Sequence, residues 1–213
     1  MDEFDDMVKI IKKAGYDCYA FNMQDNLDKL LNHLYTVKPD IIFNQVEIFG
    51  ISSRYEMNIA GIYEMLRLHY TGAPVISLAN CQDKVLTKKI LRGSGIRVAD
   101  FEVVSEPLDS LPSHLKYPVI IKPAYEDASV GIEYNAVVRD DQRLKDRIKY
   151  ILEQFKQPAI VEQFIEGREL NISVVGHRKP EVLPISEIDF TEMPDHLDNI
   201  VSYQAKWDPA HES

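Results

Sequence analysis

Apolar residues Phe4, Met7, Val8, Ile10 and Ile11 recur at helical spacing and stop before Gly15, which predicts an amphipathic helix ended by a glycine. Tyr16 to Phe21 reads as a short strand, and Asn22 or Asp25 starts a second helix with Leu27, Leu30, Leu31 and Leu34 on its buried side. Pro39-Asp40 leads into Ile41-Ile42-Phe43, a compact buried strand. Past the polar loop from Asn44 to Ser53, a helix capped by Ser52 or Ser53 carries Met57, Ile59, Ile62, Met65, Leu66 and Leu68 on one face. A turn from Tyr70 to Pro74 precedes the strand Val75-Ile76, and a further helix runs from about Gln82 to Arg92, closed by Gly93 or Gly95. This alternation predicts an open parallel sheet covered on both faces and argues against an all-β chain.

The second half has a different rhythm. Arg97 to Val104 reads as a strand, and Glu106 to Lys116, with two prolines, as a connector. A domain junction is expected between Ser94 and Val98, giving an α/β domain over 1–95 and an α+β domain over 96–213. Pro118 opens the apolar run Val119-Ile120-Ile121, Lys122 stands at its exit and Pro123 closes it. A small polar loop then leads to a second strand, Ile132 to Val138. The helix from Asp141 to Phe155 turns Leu144, Ile148, Ile151, Leu152 and Phe155 inward and Arg143, Lys145, Arg147 and Lys149 to solvent. Ala159 to Glu162 is a strand, followed by a turn at Glu166-Gly167 and short strands that reach Phe190.

Charge narrows the function. The 34 acidic residues outnumber the 24 basic ones, for a formal charge of −10, which argues against a protein that tracks a nucleic-acid backbone. With 45% hydrophobic and 27% charged residues a core is expected rather than wholesale disorder. Cys18 and Cys81 are far apart and lack metal-ligand spacing, so they read as ordinary thiols and imply a reducing, cytoplasmic setting. No apolar run is long enough to span a membrane and no leader pattern occurs. Both ends read as cut, the first in a helix with no strand before it and the last in a polar segment with no closing element.

The candidate chemistry gathers after Tyr117. A lysine at a strand exit beside a polar loop reaches anions, and the tip Asp127, Ala128, Ser129 and Gly131 lets backbone amides approach phosphate oxygens. Glu162 and Glu169 flank Phe164-Ile165, and an apolar wall with carboxylates suits a flat heterocycle joined to a hydroxyl-rich sugar, as in a purine nucleotide. An edge-strand lysine, an ordinary hairpin and solvated glutamates fit the same residues. Lys84 and Lys88 share a helix face, where they either flank an anion or reach separately into solvent. Arg54 and Glu56 are candidate substrate contacts. His177, in a turn with no acid partner at metal or triad spacing, reads as a surface residue.

Lys122-Pro123, Ser129-Val130-Gly131, the run Val161 to Leu170 (VEQFIEGREL), Thr71-Gly72 and Asp83 to Lys88 (DKVLTK) together resemble the ATP-grasp superfamily, in its D-alanine-D-alanine ligase-like branch. The similarity runs in order from about Asn44 to the carboxyl end. It implies a truncated ATP-grasp fold: an N-terminal parallel-sheet (pre-ATP-grasp) domain followed by an incomplete ATP-grasp domain. The implied activity is ATP-dependent ligation of a carboxylate to an amine through an acyl phosphate. The small substrates are the partners, and neither nucleic acid nor membrane is among them; a second copy of the chain is the one macromolecular partner entertained. By the same resemblance Lys84 and Lys122 bind the α and β phosphates, and Ser129 and its neighbouring amides fold over them. Glu162, Gln163 and Ile165 meet adenine, Glu169 accepts from the ribose, and Lys206 approaches ATP.

Several positions depart from the family pattern. The glycine-rich, Glu-Asp-Gly type of loop is lacking after Asn44. Asp127 and Ala128 replace a glycine and a serine before the Ser-Val-Gly tip, and Trp207 stands where the ligases have tyrosine or phenylalanine, which implies a different second substrate. The Mg²⁺ that the family uses is expected to be held by residues beyond the position of Ser213, so none of the present residues is assigned to it. A non-catalytic nucleotide-binding or regulatory fragment is the rival reading, and a ligase making another dipeptide is a third.

Overall fold

The lysine-bearing helix after Asp83 belongs with the second half of the chain, because the amide of Lys84 donates to the carbonyl of Ala124 at 3.1 Å. The computed structural model, which describes residues 3–50, 52–176 and 178–208, accordingly divides into compact units Met1–Val75 and Ile76–Ser213. The division falls earlier than the junction expected near residue 95.

In the first unit α1 (Glu3–Lys13) and α2 (Leu27–Val37) form where the apolar spacing places them. Asn26, not Asn22 or Asp25, caps α2 by accepting from the Lys29 amide at 2.9 Å. Ser52 caps a short 3₁₀ turn, Ser53–Tyr55, that leads into α3 (Glu56–Met65). Leu30 and Leu34 pack with Met23, Ile59 and Tyr63. The parallel sheet is corrected: among the described residues its trace is one parallel bridge between Ile42 and Tyr70. Residues 16–23 make no ladder, and Phe21 instead stacks on His33 with ring centroids 3.8 Å apart. Val75-Ile76 is not a strand but the start of α4 (Val75–Gln82), where the Glu64 carboxylate accepts from the Val75 amide at 3.1 Å. A side-chain acceptor there satisfies a helix-start donor that a sheet would otherwise have to pair.

Helix α4 runs on into the second unit, where α5 (Lys84–Gly93), capped by Asp83, follows it. The sheet of this unit comprises β1 (Phe101–Val104), β2 (Val119–Pro123), β3 (Val137–Val138) and β4 (Ala159–Gln163) in the order β1-β4-β2-β3, every neighbour antiparallel. Helix α6 (Asp141–Phe155) covers one face with Leu144, Ile148 and Ile151, all wholly buried against Val119, Ile121 and Val161. Each such side chain contributes about 2 kcal/mol through burial. The strand expected over Ile132 to Val138 shrinks to β3. The residues before it turn, with the Ala136 amide bonded back to the Glu133 carbonyl. Arg147, expected in solvent, is 5% exposed. Two small antiparallel pairs follow, β5 (Glu169–Asn171) with β8 (Ser186–Ile188) and β6 (Val174–Val175) with β7 (Glu181–Val182), and then α7 (Tyr203–Trp207). His177 lies outside the described residues.

Candidate nucleotide site

Strand pairing sets the site. In β2 alternate residues Val119, Ile121 and Pro123 face the α6 core, so Lys122 faces the other way. Lys122 is opposite Ile160 of β4 and Ile120 is opposite Glu162, which makes Lys122 and Glu162 diagonal neighbours on one sheet face. Their charged ends meet at 2.9 Å, Lys122 Nζ to Glu162 Oε2. From α5, Lys88 Nζ donates to Glu162 Oε1 at 2.6 Å and also lies over the Phe101 ring. The side chains of Lys122, Lys88 and Glu162 are 19%, 14% and 10% exposed. One carboxylate therefore holds two shielded ammonium groups. The approach of Lys122 to Oε2 is a charge contact without hydrogen-bond alignment, so this buried oxygen still has room to accept a directed N–H.

Lys84 opens α5 and is half-buried. Burial, reinforced by the charge of Lys122, pushes its ammonium down to about 8, while Asp127, Glu126 and Glu162 oppose that shift. Lys84 and Lys88, four residues apart, do not both reach into solvent: Lys88 is spent on Glu162, and Lys84 stays beside the loop after β2. The cation-rich side of this cluster suits a polyanion. It needs neither a nucleophile nor a metal to attract one.

The loop itself is tightly bent. Ala128 and Ser129 have φ of 46° and 64°, unusual for residues with a Cβ. Gly131, at φ 73°, is required, since a Cβ there would run into the Pro123 ring and press on Phe155. The segment before and within α7 sits on this tip. Ser129 Oγ donates to the Val201 carbonyl at 2.8 Å, the Tyr203 amide to the Ile132 carbonyl at 2.8 Å, and Trp207 Nε1 to the Ala128 carbonyl at 3.1 Å. The Ser129 hydroxyl proton is thus directed to the backbone. Lys206, in α7, is exposed.

The remaining candidates are less gathered. The side chain of Gln163 turns toward the β2 entrance, accepting from the Lys116 amide at 3.2 Å and donating to the Pro118 carbonyl at 3.0 Å. Ile165 is 67% exposed, and Glu169 is exposed in β5. A hollow of about 380 Å³ beyond the end of β4 is lined by Phe164, Glu166, Asp195 and Asp198, among others, and its wall contains no lysine. Its acidic wall is wrong for phosphate. Arg54 and Glu56 belong to the first unit, at the 3₁₀ turn and the first residue of α3. Sequence reasoning missed the grip of Lys88 on Glu162, and the burial of Arg147. The cue for the first was the Asp83 cap, which fixes the rotation of α5.

Residues 90–213 match the family model for the D-ala D-ala ligase C-terminus. The chain is 27% identical over 209 residues to an uncharacterized protein, y4sG, of Sinorhizobium fredii, covering 95% of this chain and 60% of that one. It is 33% identical over 192 residues to a D-alanine–D-alanine ligase of Carboxydothermus hydrogenoformans, covering 86% of this chain and 58% of the ligase. It thus spans about 60% of the length of these curated relatives. Among solved structures, the D-alanine–D-alanine ligase of Coxiella burnetii superposes with a TM-score of 0.57 at 28% identity, over 70% of this chain and 44% of that one. With a lysine-lined sheet face, a glycine-dependent loop and this run of matches in hand, the chain belongs to the D-ala D-ala ligase C-terminus family, in the D-alanine–D-alanine ligase-like branch of the ATP-grasp superfamily.

Proposed function

We propose that this chain supplies the nucleotide-gripping part of an ATP-dependent ligase that joins a carboxylate to an amine. The observation that carries the reading is the convergence of Lys84 and Lys122 beside the 124–131 loop, with Glu162 behind them. Phosphoryl transfer to a carboxylate needs charge neutralisation and alignment more than a protein nucleophile, and preorganised lysines supply that. In this reading Lys84 and Lys122 meet the phosphates, and Ser129 with its neighbouring amides borders them. Glu162 offers its unaligned Oε2 to the amino group of the purine, with Gln163 and Ile165 at the adenine edge. Glu169 accepts from the ribose, and Lys206 approaches the phosphates from α7.

The name D-alanine–D-alanine ligase, borne by the Carboxydothermus relative, supports amino acids as the substrate class and favours an enzyme over a non-catalytic binder. Trp207 and Ala128 argue for a different amine partner from D-alanine, since a bulky indole tied to the Ala128 carbonyl takes space beside the loop. Among the described residues no group of three His, Cys, Asp or Glu is placed to hold a metal ion, so none of them is assigned to the magnesium that accompanies ATP in this reading. No step is assigned to it. The domain plan we favour remains an α/β unit followed by an ATP-grasp unit. No helix among the described residues is long and apolar enough to cross a membrane.

Calorimetric titration of the 213-residue chain with ATP tests the reading. The wild type should bind weakly without releasing phosphate, and Lys122→Ala should weaken binding by more than about 1.4 kcal/mol, a tenfold effect. Equal affinity in the two proteins removes Lys122 from the site, and phosphate release above background refutes the expected lack of turnover.

A further inference from the structure

The loop that borders the lysine cluster is held from beneath by a buried guanidinium. Arg147 rises from the middle of α6, on a helix whose neighbouring basic residues Arg143, Lys145 and Lys149 remain at the surface. Its Nη2 donates to the carbonyl of Gly131 and pairs with the carboxylate of Glu133, while Nη1 donates to Asn135 Oδ1 at 3.2 Å. The guanidinium lies 4.8 Å from the centre of the Tyr150 ring, and the Tyr150 hydroxyl donates to the other oxygen of Glu133 at 2.9 Å. One planar fork therefore reaches three residues of a five-residue stretch, 131 to 135. A lysine, whose three N–H donors leave a single nitrogen, cannot span them.

The held stretch continues directly into the tip. The Ile132 amide bonds to the Ser129 carbonyl at 2.9 Å and the Val130 amide to the Asp127 carbonyl at 2.8 Å, so moving Gly131 moves Ser129. The tip also carries two consecutive non-glycine residues in left-handed conformation, Ala128 and Ser129. Such a conformation persists only where surrounding contacts impose it. We propose that Arg147 is a positioning residue: by clamping Gly131, Glu133 and Asn135 it fixes the 127–132 tip in the shape that receives the nucleotide phosphates. This rests on the nucleotide reading above. Arg147 touches no ligand in this scheme, and its effect passes through the loop backbone.

The experiment compares wild type, Arg147→Lys, Arg147→Met and the double variant Arg147→Met/Glu133→Leu for thermal midpoint, amide hydrogen exchange at Val130 and Ile132, and ATP affinity by calorimetry. Arg147→Met should raise exchange at both amides at least about tenfold and weaken ATP binding at least about fivefold, and Arg147→Lys should fall between it and wild type. The double variant replaces both charges with apolar groups and should regain much of the thermal midpoint while ATP affinity stays low. Recovery of affinity together with the midpoint makes Arg147 merely structural and overturns the proposal, as does wild-type affinity in Arg147→Met or Arg147→Lys with fast exchange at the tip. Should Arg147→Met not fold, Arg147→Lys and the double variant give the same decision. Absence of ATP binding by the wild type overturns the nucleotide reading and this proposal with it, whereas wild-type binding with unaltered variants overturns this proposal alone.

Discussion

Lys84 makes the phosphate assignment testable by pH alone. Its ammonium is pushed down to about 8 by burial first and by the charge of Lys122 second. An unfolded lysine keeps its ordinary value near 10.4, so between about pH 8 and pH 10 the unfolded chain binds more protons than the folded one. Stability carried by this group therefore rises with pH across that window, by at most about 1.4 kcal/mol per pH unit. Nucleotide affinity should move in the opposite direction. A phosphate beside Lys84 favours the charged form, and the fraction of free protein already charged falls from about ten elevenths at pH 7 to about one eleventh at pH 9, a loss of about tenfold in affinity.

Calorimetry with ADP over this range is the assay, because phosphate esters shed their second proton near pH 6, well below it. Repeating the titration at pH 8.5 in buffers of differing ionisation enthalpy should reveal uptake of a fraction of a proton on binding. Lys84→Arg keeps the charge throughout, so it should retain binding and flatten the profile. An affinity that is level from pH 7 to pH 9 in the wild type, or a slope that survives in Lys84→Arg, refutes the placement of Lys84 against phosphate.

Other substitutions test the framework. Glu162→Gln leaves Lys88 and Lys122 shielded without their common counter-charge, and urea denaturation at neutral pH should show a loss of about 3 kcal/mol; a loss below about 1 kcal/mol would show that Glu162 is not tying α5 and β2 to β4. Gly131→Ala combines a left-handed backbone with a collision against Pro123 and should cost about 3 kcal/mol by the same measurement. Arg139→Ala, in contrast, removes a forked pair with Asp198 (3.1 and 2.5 Å) whose arginine is half exposed, and its cost should stay under about 1 kcal/mol. A larger loss would mean that the 198–202 segment depends on that pair.

The span of α6 was legible in the sequence because its apolar spacing marks the same boundaries, and β2 and β4 because short apolar runs bounded by proline or turns have few alternatives. The parallel strands of the first unit were not. An apolar triplet such as Ile41 to Phe43 specifies a strand only if a partner ladder exists, and whether Tyr70 or a longer segment pairs with it is a tertiary fact. Val75-Ile76 failed for a local reason, the Glu64 carboxylate eleven positions earlier that accepts from the Val75 amide. At the site, the lysines were visible as residues but not as a set. Lys88 and Glu162 are 74 positions apart, and their 2.6 Å contact follows from the rotation of α5 and the register of β4 jointly. Arg147 was hidden by its charge: three residues after Leu144 and four before Ile151 it borders the apolar stripe, and the bent stretch from Gly131 to Asn135 offers it a carbonyl, a carboxylate and an amide oxygen that only a fork can join. Periodicity assigns faces against a flat neighbour. Where a loop folds over the edge of a helix, the border of the polar face becomes interior, and a buried arginine amid solvated ones is the mark such a loop leaves.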